Sequence, residues 1–244
     1  MTSRPTRPPA SAALVAEVPP WGLGPFVRQD HVNPILTPRA DTVFRCPLRG
    51  EVAWEAKDVF NPAAVVKDGK VWLLYRAEDT VGRHAGTSRI GLACSDDGLC
   101  FTRLPQPVLF PDKDAYHHWE WEGGCEDPRI VTGDDGTYVL TYTAFDGVCA
   151  RLCVATSRDL VAWTKHGPAF AAARGGRWLD AWSKSGAIVC RQDGDHLVAV
   201  RIDGRYWMYF GESDIYAATS DDLLAWTPVE ATVRGPAHAR TGAA

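Results

Sequence analysis

The sequence predicts an all-β protein, specifically a β-propeller with about three blades in this chain. Three segments of the 244 residues share one layout, at a spacing of roughly sixty to seventy residues. In each segment, Asp-Gly turns alternate with short apolar runs such as VWLLY and RIGLA, a pattern typical of β-hairpins. No long helical period competes with these signals. Repeated four-stranded units are typical of propeller blades.

The repeats are taken here as residues 60–104 (repeat 1), 125–167 (repeat 2) and 183–229 (repeat 3). Each has a tyrosine after its hairpin turn, a serine in an ACSDDG-like turn and a closing aromatic residue. The matched positions are Tyr75, Tyr142 and Tyr209; Ser95, Ser157 and Ser220; and Phe101, Trp163 and Trp226. Repeat 3 is longer between Gly186 and Tyr209, which leaves room for an extra hairpin. We expect Trp163 and Trp226 to be structural.

The starts of the innermost strands are the predicted site. In a propeller these strands line a central channel, and the residues that lead into them gather at one end of it. The pairs Asn61-Pro62, Asp127-Pro128 and Lys184-Ser185 hold these positions in repeats 1, 2 and 3. Their side chains are therefore expected to meet.

Composition narrows the function classes. The chain is 45% hydrophobic and 23% charged, which is typical of a globular domain with a sizeable core. A formal net charge of -4 argues against nucleic acid as the main partner. Seven scattered cysteines without a C-x-x-C pair indicate neither a zinc site nor a disulfide framework. Reduced thiols fit a cytoplasmic protein. No apolar stretch is long enough to span a membrane.

The most informative stretch is WEWEGGCEDPRI, residues 119–130, which combines four carboxylates with two tryptophans. Asp127 at a strand start points toward the channel mouth, and Glu126 is expected to face the other way because neighbours in a strand alternate. Trp119 and Trp121 either stack on a sugar ring or pack between blades. His117 and His118 could bind sugar hydroxyls, but two adjacent histidines without further partners do not form a metal site.

Several motifs in order carry a family resemblance: FNPAAV, LLYRAED, RIGLACSDDG, GGCEDPRI, YVLTYTAFDG, ATSRDLVAWTKHGP, SKSGAI and YWMYFGE. Together they resemble glycoside hydrolase family 130, the five-bladed mannoside phosphorylases and their hydrolytic relatives, over about residues 28–230. The resemblance implies a domain at 28–230, preceded by a flexible lead (1–27) and followed by an irregular tail (231–244). The chain resembles only three of the family's five blades, which suggests a C-terminally incomplete form.

The resemblance also implies inverting phosphorolysis of β-mannosides to mannose 1-phosphate, with inorganic phosphate as co-substrate and no other cofactor. Asp127, the aspartate of CEDPR, would be the single general acid. A carboxyl group in this role must keep its proton near neutral pH, so its pKa is expected to be raised. The implied substrate-binding residues are Asn61, Arg76, Glu126, Trp121 and His118. The implied phosphate-binding residues are Arg89, Arg151 and Lys184.

Other functions stay open at this point. An inverting β-mannoside hydrolase of the same family would need a second carboxylate about 6.5–9.5 Å from Asp127. An inactive, truncated propeller could instead bind glycan or protein.

The expected partners are a small oligosaccharide and phosphate, with no nucleic acid and no membrane, and the chain could form a homo-oligomer. A phosphate site requires the charged ends of Arg76, Arg89 and Lys184 to lie close together, within about 10 Å of the Asp127 carboxylate.

Overall fold

The computed structural model describes residues 26–233. Residues 26–34 belong to one compact part of the chain and hold a turn in which Val32 N donates to Gln29 O at 3.1 Å. All strands of the described residues lie in the second part, which begins at Ile35. The predicted lead (1–27) and tail (231–244) fall mostly outside the described residues.

The second part opens with an antiparallel hairpin, β1 (Arg39–Cys46) and β2 (Gly50–Glu55). Repeat 1 follows as an antiparallel sheet that pairs its strands in chain order. Its strands are β3 (Asp58–Lys67), β4 (Lys70–Glu78), β5 (Ser88–Ser95) and β6 (Thr102–Arg103). The β3–β4 turn needs left-handed backbone at two successive residues, and Asp68 and Gly69 supply it with φ of 53° and 72°.

Repeat 2 has the same topology, and a four-residue helix, α1 (His117–Glu120), precedes it. Its strands are β7 (Gly124–Thr132), β8 (Tyr138–Phe145), β9 (Ala150–Ser157) and β10 (Thr164–Pro168). Within the described residues α1 is the only helix, so the protein is nearly all-β as predicted. No helix in this part of the chain is long and apolar enough to cross a membrane.

Repeat 3 contains the extra hairpin that its length predicts. Its main strands pair in the order β11 (Ala187–Ile188), β15 (Arg205–Gly211), β16 (Ile215–Ser220) and β17 (Thr227–Val233). The hairpin β12 (Cys190–Asp193) and β13 (His196–Ala199) and the short β14 (Arg201–Ile202) lie between β11 and β15 in the chain. Strand β13 bridges to β7, where Val198 pairs with Thr132. Within residues 26–233 the strands do not close into a ring.

The strand register corrects one predicted match between the repeats. Leu74, Thr141 and Tyr209 are equivalent positions of the three repeats. Each pairs with the residue at which an innermost strand, beyond its predicted strand start, begins its regular ladder of hydrogen bonds. The buried aromatics that follow them are therefore Tyr75, Tyr142 and Phe210, each at most 3% exposed. Tyr209, the residue predicted from sequence, is 46% exposed. The prediction is wrong by one position because Tyr209 and Phe210 are both aromatic, and the tyrosine was matched by residue type although Phe210 holds the buried position.

The serine match is confirmed, since each serine hydroxyl donates to the aspartate two residues later and accepts from the backbone N–H three residues later. The two closing tryptophans are structural, as expected. Trp163 and Trp226 donate their indole N–H to the carbonyls of Leu160 and Leu223.

Three clusters of buried apolar residues, termed seams, hold successive sheets together. The first seam packs β1 and β2 against repeat 1, with Trp54 and Tyr75 at its centre. The second packs repeat 1 on repeat 2, and the third packs repeat 2 on repeat 3, where Phe170 and Phe210 lie 4.6 Å apart. Repeats 1 and 2 therefore each bury one face of their sheet against the repeat that follows.

Candidate active site

The three strand starts converge on one open cavity of about 540 Å³. Asn61, Asp127 and Ser185 have left-handed backbone there, with φ of 46°, 48° and 58°. The lining residues are Asn61, Pro62, Ala63, Ala64, Asp127, Pro128, Arg129, Ile130, Lys184, Ser185 and Leu197. The predicted convergence is thus observed, but Ser185, not Lys184, is the equivalent of Asn61 and Asp127. Lys184 is instead equivalent to Phe60 and Glu126.

The left-handed turn changes which way the neighbouring side chains face. The ladders skip between Phe60 and Ala63 and between Glu126 and Arg129, as at a β-bulge. The strict alternation of a strand therefore fails at Asp127. Glu126 and Asp127 both contact Arg76, so the expectation that Glu126 faces away is wrong.

Arg76 is the centre of the site. Its Nη1 lies 3.1 Å from Asp127 Oδ1, and its Nη2 lies 3.0 Å from Glu126 Oε1 and 2.6 Å from Glu78 Oε1. Its Nε donates to Ser88 Oγ at 2.9 Å, and the guanidinium lies over the ring of Phe60. Asn61 Nδ2 donates to Asp127 Oδ1 at 2.8 Å. Of the predicted substrate-binding residues, the structure thus brings Asn61, Arg76 and Glu126 to Asp127.

The two adjacent carboxyl groups have opposite pKa shifts. Burial and the negative charge of Asp127 outweigh the charge of Arg76 and raise the pKa of Glu126 to about 7. Burial also acts to raise the pKa of Asp127, but the hydrogen bond from Asn61 and the charges of Arg76 and Lys184 lower it overall. In this structure the expected raised pKa therefore belongs to Glu126 and not to Asp127.

Lys184 links Asp127 to a carboxylate that the sequence analysis did not identify. Its Nζ lies 3.7 Å from Asp127 Oδ2 and 3.7 Å from Glu212 Oε1. Those two oxygens are therefore no farther apart than twice 3.7 Å. Glu212 belongs to the YFGES stretch of repeat 3, but sequence alone does not place that turn beside repeat 2.

Two of the three predicted phosphate ligands do not reach the cavity. Arg89 is fully buried and forms an ion pair with Asp79 at 2.8 Å. Arg151 forms ion pairs with Asp146 at 2.7 Å and with Asp180 at 2.8 Å. The pairs Arg89–Asp79 and Arg151–Asp146 occupy equivalent places in repeats 1 and 2, which explains them as part of the scaffold. Only Arg76 and Lys184 remain near Asp127, so the expected phosphate cluster is not assembled.

The acidic and aromatic stretch divides between site and scaffold. Glu120 is fully buried and accepts from Tyr142 Oη at 2.8 Å and from Lys165 Nζ at 2.5 Å. Glu122 forms an ion pair with Arg49 and accepts from Arg83 N. Glu126 and Asp127 are thus the two of the four carboxylates that belong to the site.

The two remaining predicted substrate ligands are not among the residues that line the cavity. Trp121 lies beneath the guanidinium of Arg49, 5.1 Å from its ring centroid, and packs against the first seam. His118 is exposed and its ring lies 4.1 Å from that of Trp119. In this structure Trp121 therefore takes the packing role that the sequence left open.

Comparison with known proteins finds similarity to enzymes that act on carbohydrates. A family model described as beta-1,4-mannooligosaccharide phosphorylase matches residues 26–238. The 1,2-beta-oligomannan phosphorylase of Thermoanaerobacter sp. (strain X514) is 34% identical over 202 residues, which cover 80% of this chain and 56% of that protein. The chain thus spans about half the length of that curated relative.

Solved structures are similar over the same region. A glycosyl hydrolase from Bacteroides ovatus is 48% identical with a TM-score of 0.83, and the match covers 87% of this chain and 60% of that one. A structure with the same figures is described by the words "the GH130 family of mannoside phosphorylases contains glycoside hydrolases that target beta-1,2 mannosidic linkages in Candida mannan". Beta-1,2-mannobiose phosphorylase from Listeria innocua, with 19% identity and a TM-score of 0.55, shares the fold.

Proposed function

Because the chain belongs to glycoside hydrolase family 130, we propose that it provides the catalytic acid of a β-mannoside-cleaving enzyme that inverts the anomeric centre and uses water as the acceptor. The observation that carries the proposal is the bridge from Asp127 through Lys184 to Glu212. Inverting glycosidases separate their two carboxyl groups by about 6.5–9.5 Å, which leaves room for one water molecule. The bridge limits the two oxygens to at most twice 3.7 Å, which overlaps the lower end of that range.

In this mechanism Asp127 gives its proton to the glycosidic oxygen as the bond to C1 breaks. A water molecule attacks C1 from the opposite face and transfers a proton to Glu212, so β-mannoside becomes α-mannose. Sugar in the cavity removes water from around Asp127, and this desolvation raises its pKa toward the working range. Arg76 and Asn61 hold the Asp127 carboxylate in place through its Oδ1 atom.

The balance of charge around the cavity supports hydrolysis. Arg76 and Lys184 already face four carboxylates, Glu78, Glu126, Asp127 and Glu212. Arg89 and Arg151 are held in ion pairs of the scaffold. Beyond these pairs, a phosphate dianion would meet the positive charge of Arg129, which lines the cavity. The 48% identity to a structure described as a glycosyl hydrolase, and to one described with the words that the family contains glycoside hydrolases, points the same way.

Phosphorolysis with release of mannose 1-phosphate is the second candidate. The position of Lys184 beside Asp127 favours it, as do the two curated relatives named as phosphorylases of β-1,2-mannosides. In that case inorganic phosphate takes the place of water and no second carboxylate is needed. For either acceptor, the relatives' names favour a β-1,2 linkage over the β-1,4 linkage in the family description.

We also propose that repeats 1, 2 and 3 are consecutive blades of a propeller. Their shared topology, their face-to-face seams and the convergence of their innermost strands on one cavity support this arrangement.

The deciding experiment follows β-1,2-mannobiose by proton NMR, with and without phosphate. Hydrolysis predicts α-mannose as first product in phosphate-free buffer, and Glu212→Gln should lower the rate about 10²- to 10⁴-fold. Strict dependence on phosphate with mannose 1-phosphate as product would overturn hydrolysis in favour of the second candidate. If neither product forms, cleavage of this substrate by the chain is refuted.

A further inference from the structure

Glu78 contacts Arg76 and is not among the residues that line the cavity. It is 7% exposed, and its Oε1 accepts from Arg76 Nη2 at 2.6 Å and from Ser88 Oγ at 3.2 Å. Its Oε2 accepts from Lys57 Nζ at 2.7 Å. We propose that Glu78 is a positioning residue that fixes the guanidinium of Arg76 between Asp127 and Glu126.

The contacts of Arg76 explain how this works. A guanidinium is a planar fork whose donors point in fixed directions. Glu78 accepts a hydrogen bond from Nη2 directly, and Ser88, which donates to Glu78, accepts one from Nε. These hydrogen bonds block rotation about the last side-chain bonds of Arg76. In their remaining directions, Nη1 then donates to Asp127 at 3.1 Å and Nη2 donates to Glu126 at 3.0 Å.

The repeats provide an internal test of whether this cluster belongs to the scaffold. By strand register, Arg76, Glu78 and Ser88 correspond to Thr143, Phe145 and Ala150 of repeat 2. Repeat 2 forms the same sheet without any of these polar groups. The neighbouring pair Asp79–Arg89, in contrast, is kept as Asp146–Arg151. The cluster of Arg76, Glu78 and Ser88 is therefore dispensable for the fold and serves the site.

The charge of Glu78 also affects the carboxyl pair. The charged groups that face Glu126 are Arg76, Asp127, Lys184 and Glu78, with Lys57 behind Glu78 and Glu212 behind Lys184. The negative charge of Glu78 disfavours ionisation of Glu126 and competes with it for Arg76. Removing that charge while keeping the shape should let Glu126 ionise at lower pH.

The main experiment is a carboxyl carbon NMR titration of the full chain, with Glu78→Gln compared to wild type. We expect the titration midpoint of Glu126 to move down by about 0.5–1 pH unit. Ser88→Ala introduces the residue that repeat 2 has at this position, so the variant should fold normally. Hydrogen exchange at Arg76 Nε should become faster, without a comparable shift of the Glu126 midpoint. Asp79→Asn is the matched control, since it should lower Tm and leave the Glu126 titration unchanged.

An unchanged Glu126 midpoint in Glu78→Gln, or unchanged Arg76 exchange in Ser88→Ala, would refute the proposal. The catalytic consequence rests on the proposed function. In β-1,2-mannobiose cleavage, Glu78→Gln should shift the limb of the pH profile near 7 to lower pH, and Glu78→Ala should lower kcat/KM by about 10²-fold through misplacement of Arg76. Absence of cleavage by wild type would refute the function alone, because the NMR titration does not depend on activity.

Discussion

Asp127 and Glu126 share one guanidinium, yet they differ in how readily they ionise. Asp127 receives the hydrogen bond from Asn61 and the charge of Lys184, whereas Glu126 is buried beside the negative charge of Asp127. Their titrations are coupled, so an activity profile reports the pair and not either residue alone. Near neutral pH the proton of the pair resides mainly on Glu126.

The first prediction concerns activity. Asp127→Asn keeps the shape and removes the transferable proton, so cleavage of β-1,2-mannobiose should fall about 10²- to 10⁴-fold with little change in sugar binding. Glu126→Gln should also reduce the rate, since Glu126 contacts Arg76 directly, but by a smaller factor. Initial rates and isothermal titration with the sugar test both statements. Full activity of Asp127→Asn would exclude it as the acid.

The second prediction concerns stability and pH. Because the folded-state pKa of Glu126 is raised from 4.5 to about 7, its stability contribution is present below 4.5 and is lost as pH rises through 7. Glu126→Gln should therefore be more stable than wild type at pH 8, by about 1–3 kcal/mol, and equal to it at pH 4. Thermal melts across this range provide the measurement.

Asp127→Asn is the control of opposite sign. The folded pKa of Asp127 is lowered, so its ionised form stabilises the fold above the unfolded pKa and that contribution is lost in acid. Asp127→Asn should accordingly be less stable than wild type at pH 7, and the difference should shrink as pH falls. Parallel behaviour of the two variants would contradict the assignment of the opposite shifts.

At the residue scale the convergence of strand starts predicted Asp127, Asn61 and Lys184 as neighbours, and the family resemblance added Arg76. The sequence did not predict the direction in which the Glu126 side chain points. Side chains alternate between faces only in a regular ladder, and a left-handed residue interrupts this one. It also could not show that Arg89 and Arg151 are engaged by aspartates. An arginine that binds phosphate and one that forms an ion pair have the same sequence signature.

At the scale of single elements, a buried glutamate connects a repeat to the segment that precedes it. Tyr142 Oη and Lys165 Nζ both donate to Glu120, and Tyr75 Oη and Arg103 Nη1 donate in the same way to Glu55. Each set joins the second strand and the last strand of a repeat to the segment that precedes it. In repeat 3 the tyrosine is replaced by Phe210, which needs no acceptor.

The third prediction follows from this arrangement. Lys165→Met leaves Glu120 buried without its cation and should cost about 3–5 kcal/mol near neutral pH. Burial already raises the pKa of Glu120, so protonation in acid should reduce the cost. Lys70→Met, which removes an exposed pair with Asp96, should stay within about 0.5 kcal/mol. Urea unfolding at two pH values distinguishes these outcomes, and equal costs for both lysines would refute the role of Glu120.

At the scale of the whole molecule, stacking of the repeats sets the exposure of each sheet face. Thr141 is 1% exposed in the third seam, whereas its equivalent Tyr209 is 46% exposed on the outer face of repeat 3. Periodicity predicted the sheets and their number of strands, and the repeats predicted the stacking. The one-residue error at Tyr209 arose because two adjacent aromatic residues, Tyr209 and Phe210, fit the pattern, and residue type alone does not show which of them is buried.

The fourth prediction compares these two equivalent positions. Thr141→Tyr overfills a packed seam and removes the hydrogen bond to Gly186 O, so it should destabilise the protein by about 1–3 kcal/mol or more. Tyr209→Thr should change stability by less than about 0.5 kcal/mol in this chain. Differential scanning calorimetry of both variants tests the seam assignment, which fails if Tyr209→Thr is the more costly change.

The left-handed backbone at Asp127 also bears on how this protein can evolve. Asparagine and aspartate are among the few residues with a side chain that tolerate such a conformation, and Asn61 already has it in repeat 1. Their codons differ by a single nucleotide. One point mutation can therefore remove the proposed proton donor while it keeps the turn, the cavity and the packing intact. On the proposed function, a lineage that abandons catalysis but retains glycan recognition is thus one genetic step away.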